Sequence, residues 1–199
     1  MARVVEPLED RTLLEVFTET TAADVMDAKD GQVSLREAII SANQTAGADT
    51  IQFSSSLNGT PIRPSIRTMP AGAAEDAGLS GDLDITDDLT ITGNGYAANG
   101  SAHTIIDAGP VVDVTSGLGD RVFHILGHRD TQSQINVTIS GVTIRGGVAA
   151  QGGGILTDFA RLTIDSSRIE NNQAVGLPGN IEGADGQGRR HQKRQIEQQ

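Results

Sequence analysis

No cysteine and no tryptophan occur anywhere in the 199 residues of this chain, and its aromatic rings stop at four phenylalanines and one tyrosine. The missing cysteine excludes disulfides and thiolate metal sites, and leaves the compartment open. The scarcity of rings argues against a globule built round one bulky core; abundant Gly, Thr, Ile and Val suit thin stacked layers better. No run of 18 apolar residues exists, so no segment can span a bilayer as a helix. No signal peptide is legible either, because Met1 leads straight into charged sequence. Basic residues are few, 15 against 26 acidic ones, and the formal net charge of −11 argues against nucleic acid or an anionic membrane as partner. The length suits one domain, or one domain with tails, and suffices for a real core.

What the chain does have is one convincing helix. Ser34 and Glu37 make the S-x-x-E of a capping box, in which the hydroxyl accepts from the Glu37 amide and the carboxylate reaches back to the Ser34 amide. Leu35, Ala38, Ile39 and Ala42 follow at helical spacing as one apolar stripe, and Asn43 and Gly47 supply the stop. A helix is therefore expected over residues 34–43. Everything after it reads as short strands, so the stripe is expected to cover the open end of a strand stack. Asp30-Gly31 and Glu37 fit the second half of an EF-hand loop, but Met26 and Ala28 occupy its first and third ligand positions, so no calcium site is expected and Glu37 is assigned to the cap.

From Leu83 onward, β-branched runs alternate with Gly, Asp, Asn or Ser. Earlier strands are expected at Leu13–Thr18 and Thr50–Phe53, with an irregular excursion over 54–82 that holds a short strand at Pro61–Arg63. The decisive feature is an internal repeat. Val137-Thr138-Ile139-Ser140-Gly141-Val142-Thr143-Ile144 aligns with Leu162-Thr163-Ile164-Asp165-Ser166-Ser167-Arg168-Ile169 at an offset of 25 residues. Val137, Ile139 and Ile144 are thereby expected to stack on Leu162, Ile164 and Ile169. Gly141/Ser166 and Gly146-Gly147/Asn171-Asn172 fall at corners, where tight bends need Gly or Asn. Asn171 or Asn172 begins an internal asparagine ladder or is an ordinary turn residue. A period of ~20–50 residues signals a solenoid, and short strands with no helix between them signal a β-helix. The fold expected is all-β: a parallel β-helix of about 25 residues per coil with a short N-terminal capping α-helix.

The run Val33-Ser34-Leu35-Arg36-Glu37-Ala38-Ile39, with Ala42-Asn43 and Asp49-Thr50-Ile51-Gln52-Phe53, resembles the CSLREA domain of bacterial surface proteins. That resemblance covers roughly residues 15–174, and Gly152-Gly153-Gly154-Ile155 resembles a coil start in the same family. It implies a right-handed parallel β-helix of the pectin-lyase-like type within a large exported protein. The sequence departs from the family at Val33, where Cys is usual, so a disulfide from that position is absent. Residues 1–14 resemble the L-E-x-L-E-D-R-x-L-L element near the start of many exported bacterial proteins; they are a leader-like segment or a frayed terminus. Residues 175–199 lose the apolar period and include Arg189-Arg190-His191-Gln192-Lys193-Arg194, and are expected to be a disordered tail after a truncated β-helix.

Chemistry is thinly signalled. If the chain is an enzyme, Asp107, Asp158, Asp165 and Arg168 are the candidates, with Asp113, Arg145 and Arg161 behind them, but none stands in a lyase or hydrolase motif. His124 and His128 lie at a strand end and a turn with no acidic cluster nearby in sequence, so no metal and no cofactor are expected. The function expected is a non-catalytic structural or adhesive module of an exported or cell-surface bacterial protein; the alternative is a polysaccharide lyase or glycoside hydrolase. Surface polysaccharide or cell-envelope components are the expected partners, together with self-association through an uncapped last coil.

Overall fold

The computed structural model describes residues 14–64, 78–79, 81–109 and 120–175. The leader-like segment up to residue 13, Asp113 and the tail from residue 176 lie outside them.

Local chemistry sets the helix. Helix α1 runs from Leu35 to Ala42 with Ser34 as N-cap and Asn43 as C-cap. The Ser34 hydroxyl accepts from the Glu37 amide at 3.2 Å, and the Ser34 amide donates to Glu37 Oε2 at 2.9 Å. Glu37 Oε1 takes the Asp27 amide at 2.7 Å, so both oxygens of this carboxylate hold backbone at the helix start. Leu35, Ala38, Ile39 and Ala42 are all buried in the main apolar cluster, and α1 packs on strands of two sheets. Ser34→Ala removes the cap and a 2.7 Å bond from the hydroxyl to the Val25 carbonyl. It is expected to cost about 1–2 kcal/mol, read as a melting temperature lowered by a few degrees.

The rest is strand. In order these are β1 (Val16–Glu19), β2 (Asp49–Phe53), β3 (Pro61–Ile62), β4 (Leu83–Ile85), β5 (Leu89–Thr92), β6 (Thr104–Asp107) and β7 (Phe123–Leu126). They continue as β8 (Ile135–Ser140), β9 (Val142–Arg145), β10 (Val148–Ala149), β11 (Ile155–Asp158), β12 (Ala160–Asp165), β13 (Arg168–Glu170) and β14 (Gln173–Ala174). They form four sheets, ordered β1-β2-β5-β8-β12, β13-β9-β6-β3, β11-β7-β4 and β10-β14. Every pairing between these strands is parallel. Among the described residues the protein is thus mostly β, with parallel sheets and one α-helix.

The offset of 25 residues reappears as strand register. Leu162 lies beside Val137, Ile164 beside Ile139, Ile169 beside Ile144 and Gln173 beside Val148. Earlier steps are longer, since Leu89 lies beside Val137 and Leu83 beside Phe123. The period of 25 therefore belongs to the last step in three of the four sheets; in the other, Ile155 lies beside Phe123, a longer step, and intervening loops lengthen the earlier steps. Within each strand alternate aliphatics turn inward: Ile51, Ile91 and Ile139 form one buried row, and Ile106 and Ile144 another. Corners repeat as well. Gly141 and Ser166 both adopt left-handed backbone, at φ 65° and 45°, as do Gly146 and Asn171, at 78° and 55°. Asn172 is more than a turn residue. Its Oδ1 accepts from the Gly147 amide at 2.9 Å, and its Nδ2 donates to the Ile144 carbonyl at 3.0 Å, tying one layer to the layer before it.

Candidate functional site

Among the described residues, a cluster of ionisable side chains lies where α1, the backbone of Gly78, Gly81 and Asp82, and strands β4 and β7 meet. Arg36 follows the first apolar residue of the helix and would be read as its polar flank, yet it is 1% exposed. Its guanidinium grips both oxygens of Asp24, at 2.8 and 3.1 Å. It also donates to the carbonyls of Gly78 at 2.7 Å, Gly81 at 2.8 Å and Asp82 at 3.3 Å. A planar five-donor fork is the one side chain that can satisfy so many acceptors at once. The helix thereby holds the backbone that carries Asp82 and leads into Asp84.

Parallel register then sets Asp84 of β4 beside His124 of β7. Asp84 is fully buried, and its Oδ1 lies 3.4 Å from His124 Nδ1 while its Oδ2 accepts from the Gly78 amide at 3.0 Å. Asp82 accepts from Arg121 Nη1 at 2.8 Å. One ligand atom from each of Asp82, Asp84 and His124 falls within 4.8 Å of the others. Burial, then the neighbouring charges of Asp120 and Asp84, push the Asp82 carboxyl up to about 6, against the opposing pull of Arg121 and His124. The arrangement can store a proton near neutrality, and its donor set is one that could hold a divalent cation. The expectation that no acidic cluster lies near His124 is therefore corrected: the register brings Asp84 beside it, and Asp82 lies in the same group. His128 takes no part, and sits exposed in the turn after β7, bridged to Ser133.

The expected catalytic candidates do not converge. Asp107 is on β6, where Arg145 of the neighbouring β9 holds it at 3.0 and 2.9 Å and the Gly109 amide caps it. Asp158 ends β11 in a two-pronged pair with Arg129, at 2.7 Å on each side. Asp165 ends β12, exposed, beside the Ser166 hydroxyl. Arg168 on β13 stacks 4.3 Å over the Tyr96 ring and donates to the Gly100 carbonyl. The three carboxylates thus belong to three different sheets, and two of them are engaged by arginine. A cleft lined by Gln132, Ser133, Gln134, Asn136, Phe159 and Arg161 contains no carboxylate and no histidine.

No match was found. Neither models of protein families, nor curated proteins, nor solved structures gave a similar protein. No helix among the described residues is long and apolar enough to cross a membrane.

Proposed function

We propose that this chain is a structural or adhesive module of an exported or cell-surface bacterial protein, built as a capped right-handed parallel β-helix of the kind the CSLREA resemblance implies. The observation that carries the reading is the coincidence of sequence repeat and strand register: inward aliphatics recur at one offset and pair in parallel on two successive sheets. A repeating apolar interior with a polar exterior makes a stiff element suited to spacing or display. The arginine clamps on Asp107 and Asp158 add support, since carboxylates tied up in cross-strand ion pairs are poorly placed for acid and base work. Surface polysaccharide and other envelope components are the partners that suit this reading.

The test is an assay against pectate, polygalacturonate and alginate, with and without calcium, followed by ultraviolet absorbance of unsaturated product and by reducing ends. No turnover is expected. Product that disappears on replacing Asp107, Asp158 or Asp165 by Asn would establish the lyase or hydrolase reading instead. Surface labelling of intact cells with an impermeant amine reagent checks location separately. Lys29 is exposed, so labelling is expected; a chain labelled only after lysis would end the cell-surface proposal.

A further inference from the structure

The inward rows are sealed along most of their length and open at one end. In the five-stranded sheet Ile51, Ile91 and Ile139 are fully buried, whereas Ile164, next in that row, is 40% exposed. The same break occurs between Ile144, fully buried, and Ile169, 46% exposed. Strand β12 pairs with β8 on one side and, among the described residues, with no strand on the other. A six-residue edge with an apolar row along it is a template for further pairing. The residues that follow in the chain do not fit it. One further step of 25 would put Gln187, Arg189 and Arg194 where Leu162, Ile164 and Ile169 stand, so charge would enter the apolar rows.

Strand β12 is instead complementary to itself. It reads Ala160-Arg161-Leu162-Thr163-Ile164-Asp165, and about Thr163 it is a palindrome in chemistry. An antiparallel partner of the same sequence, turned about a two-fold axis through Thr163, sets Leu162 opposite Ile164 and Arg161 opposite Asp165. Directly opposed residues in an antiparallel pair point to the same face. The apolar pair therefore falls on the inward side, and the ion pair on the exposed side, where Arg161, Thr163 and Asp165 all lie. The symmetry repeats both contacts. At the other edge of this sheet, among the described residues, β1 and the residue before it expose Val16 and Leu14 on the outward face, while Phe17 and the buried Glu19 turn inward, so the inward row of Leu162 and Ile164 is not repeated there. Pairing end to like end consequently closes at two copies, where head-to-tail stacking would continue into a filament.

We propose that two copies of this chain join through β12, antiparallel about Thr163, as a closed dimer. The inference uses a sheet edge alone and stands whether or not the β-helix reading does. The full chain is expected to sediment as a dimer at tens of micromolar. Arg161→Asp or Asp165→Arg, each placing like charges opposite each other twice, should weaken association about tenfold or more. The double variant R161D/D165R should restore it. Both positions are exposed, and circular dichroism checks that each variant folds. Because the chain has no cysteine, Thr163→Cys adds a unique thiol. At the two-fold its partner Cα would lie about 4.5–5.5 Å away, within disulfide reach. Mild oxidation should link this variant into a covalent dimer, whereas Thr157→Cys on β11 should stay unlinked. A monomeric wild type, a double variant as weak as the singles, growth beyond two copies, or a Thr163→Cys chain that fails to cross-link would each overturn the proposal.

Discussion

Replacing Arg36 by alanine is expected to destabilise the fold by about 3–5 kcal/mol, the range found when one partner of a buried ion pair is removed. The side chain is fully buried against Asp24, itself only 4% exposed. Truncation takes the guanidinium from that carboxylate and the donors from the Gly78 and Gly81 carbonyls, in a place where water is excluded. Lysine should rescue little, since a point charge with three donors cannot span both carboxylate oxygens and two or three carbonyls. Urea denaturation of Arg36→Ala and Arg36→Lys checks this. If Arg36→Lys lies within about 1 kcal/mol of the wild type, the fork geometry is not what the helix contributes. Because the same guanidinium positions the backbone before Asp84, the Gly78 amide, bonded to Asp84, should also lose hydrogen-exchange protection in Arg36→Ala.

The second large effect comes from Glu19, and it depends on pH. This residue ends β1 on the same side as Phe17, opposite Phe53, and is fully buried. Among the described residues, neither carboxylate oxygen has a hydrogen-bond partner. Burial alone pushes its carboxyl from 4.5 up to about 9. The folded state thus holds a proton between those two values that the unfolded state has released. Stability is greatest below the unfolded value and falls as pH rises through the window toward about 9. At pH 7 the penalty amounts to about 3 kcal/mol. Glu19→Gln removes the titration while keeping the shape. It is expected to raise stability by a few kcal/mol at pH 8 and by little at pH 5. Asp82, pushed up to about 6, tilts the curve in the same sense but only at its acid end, so Glu19→Gln flattens the upper part and leaves the lower slope. Denaturation of both proteins at the two pH values measures the difference. An equal gain at both would mean that Glu19 does not titrate in this window.

The resting places of these groups mark the limit of reading from residues. The helix was legible because its determinants are three to eight residues apart: Ser34 caps Glu37, and Leu35 to Ala42 share a face by helical geometry alone. The final register was legible because Val137–Ile144 and Leu162–Ile169 keep the same spacing, with no insertion between them. Glu19 carries a faint local signal, its alternation with Phe17, but a carboxylate at an inward position reads as a strand end rather than as core. Arg36 carries none, because its acceptors are the Asp24 carboxylate twelve residues back, outside the helix, and backbone carbonyls more than forty residues ahead.

Alone, then, the sequence determined the helix α1 and its apolar stripe, the abundance of short strands, the inward aliphatic rows and the offset between the last strand pairs, all set by local periodicity. Only the tertiary structure decided that Asp84 faces His124, that Asp107 is held by Arg145, that Arg168 lies on Tyr96 and that Arg36 is buried. The physical reason is parallel pairing. Neighbouring strands in a parallel sheet are separated by a whole connecting excursion, and here those excursions differ in length from one step to the next. Which polar residue meets which therefore depends on loop lengths and on the packing of the apolar rows, and no fixed spacing in the chain records it.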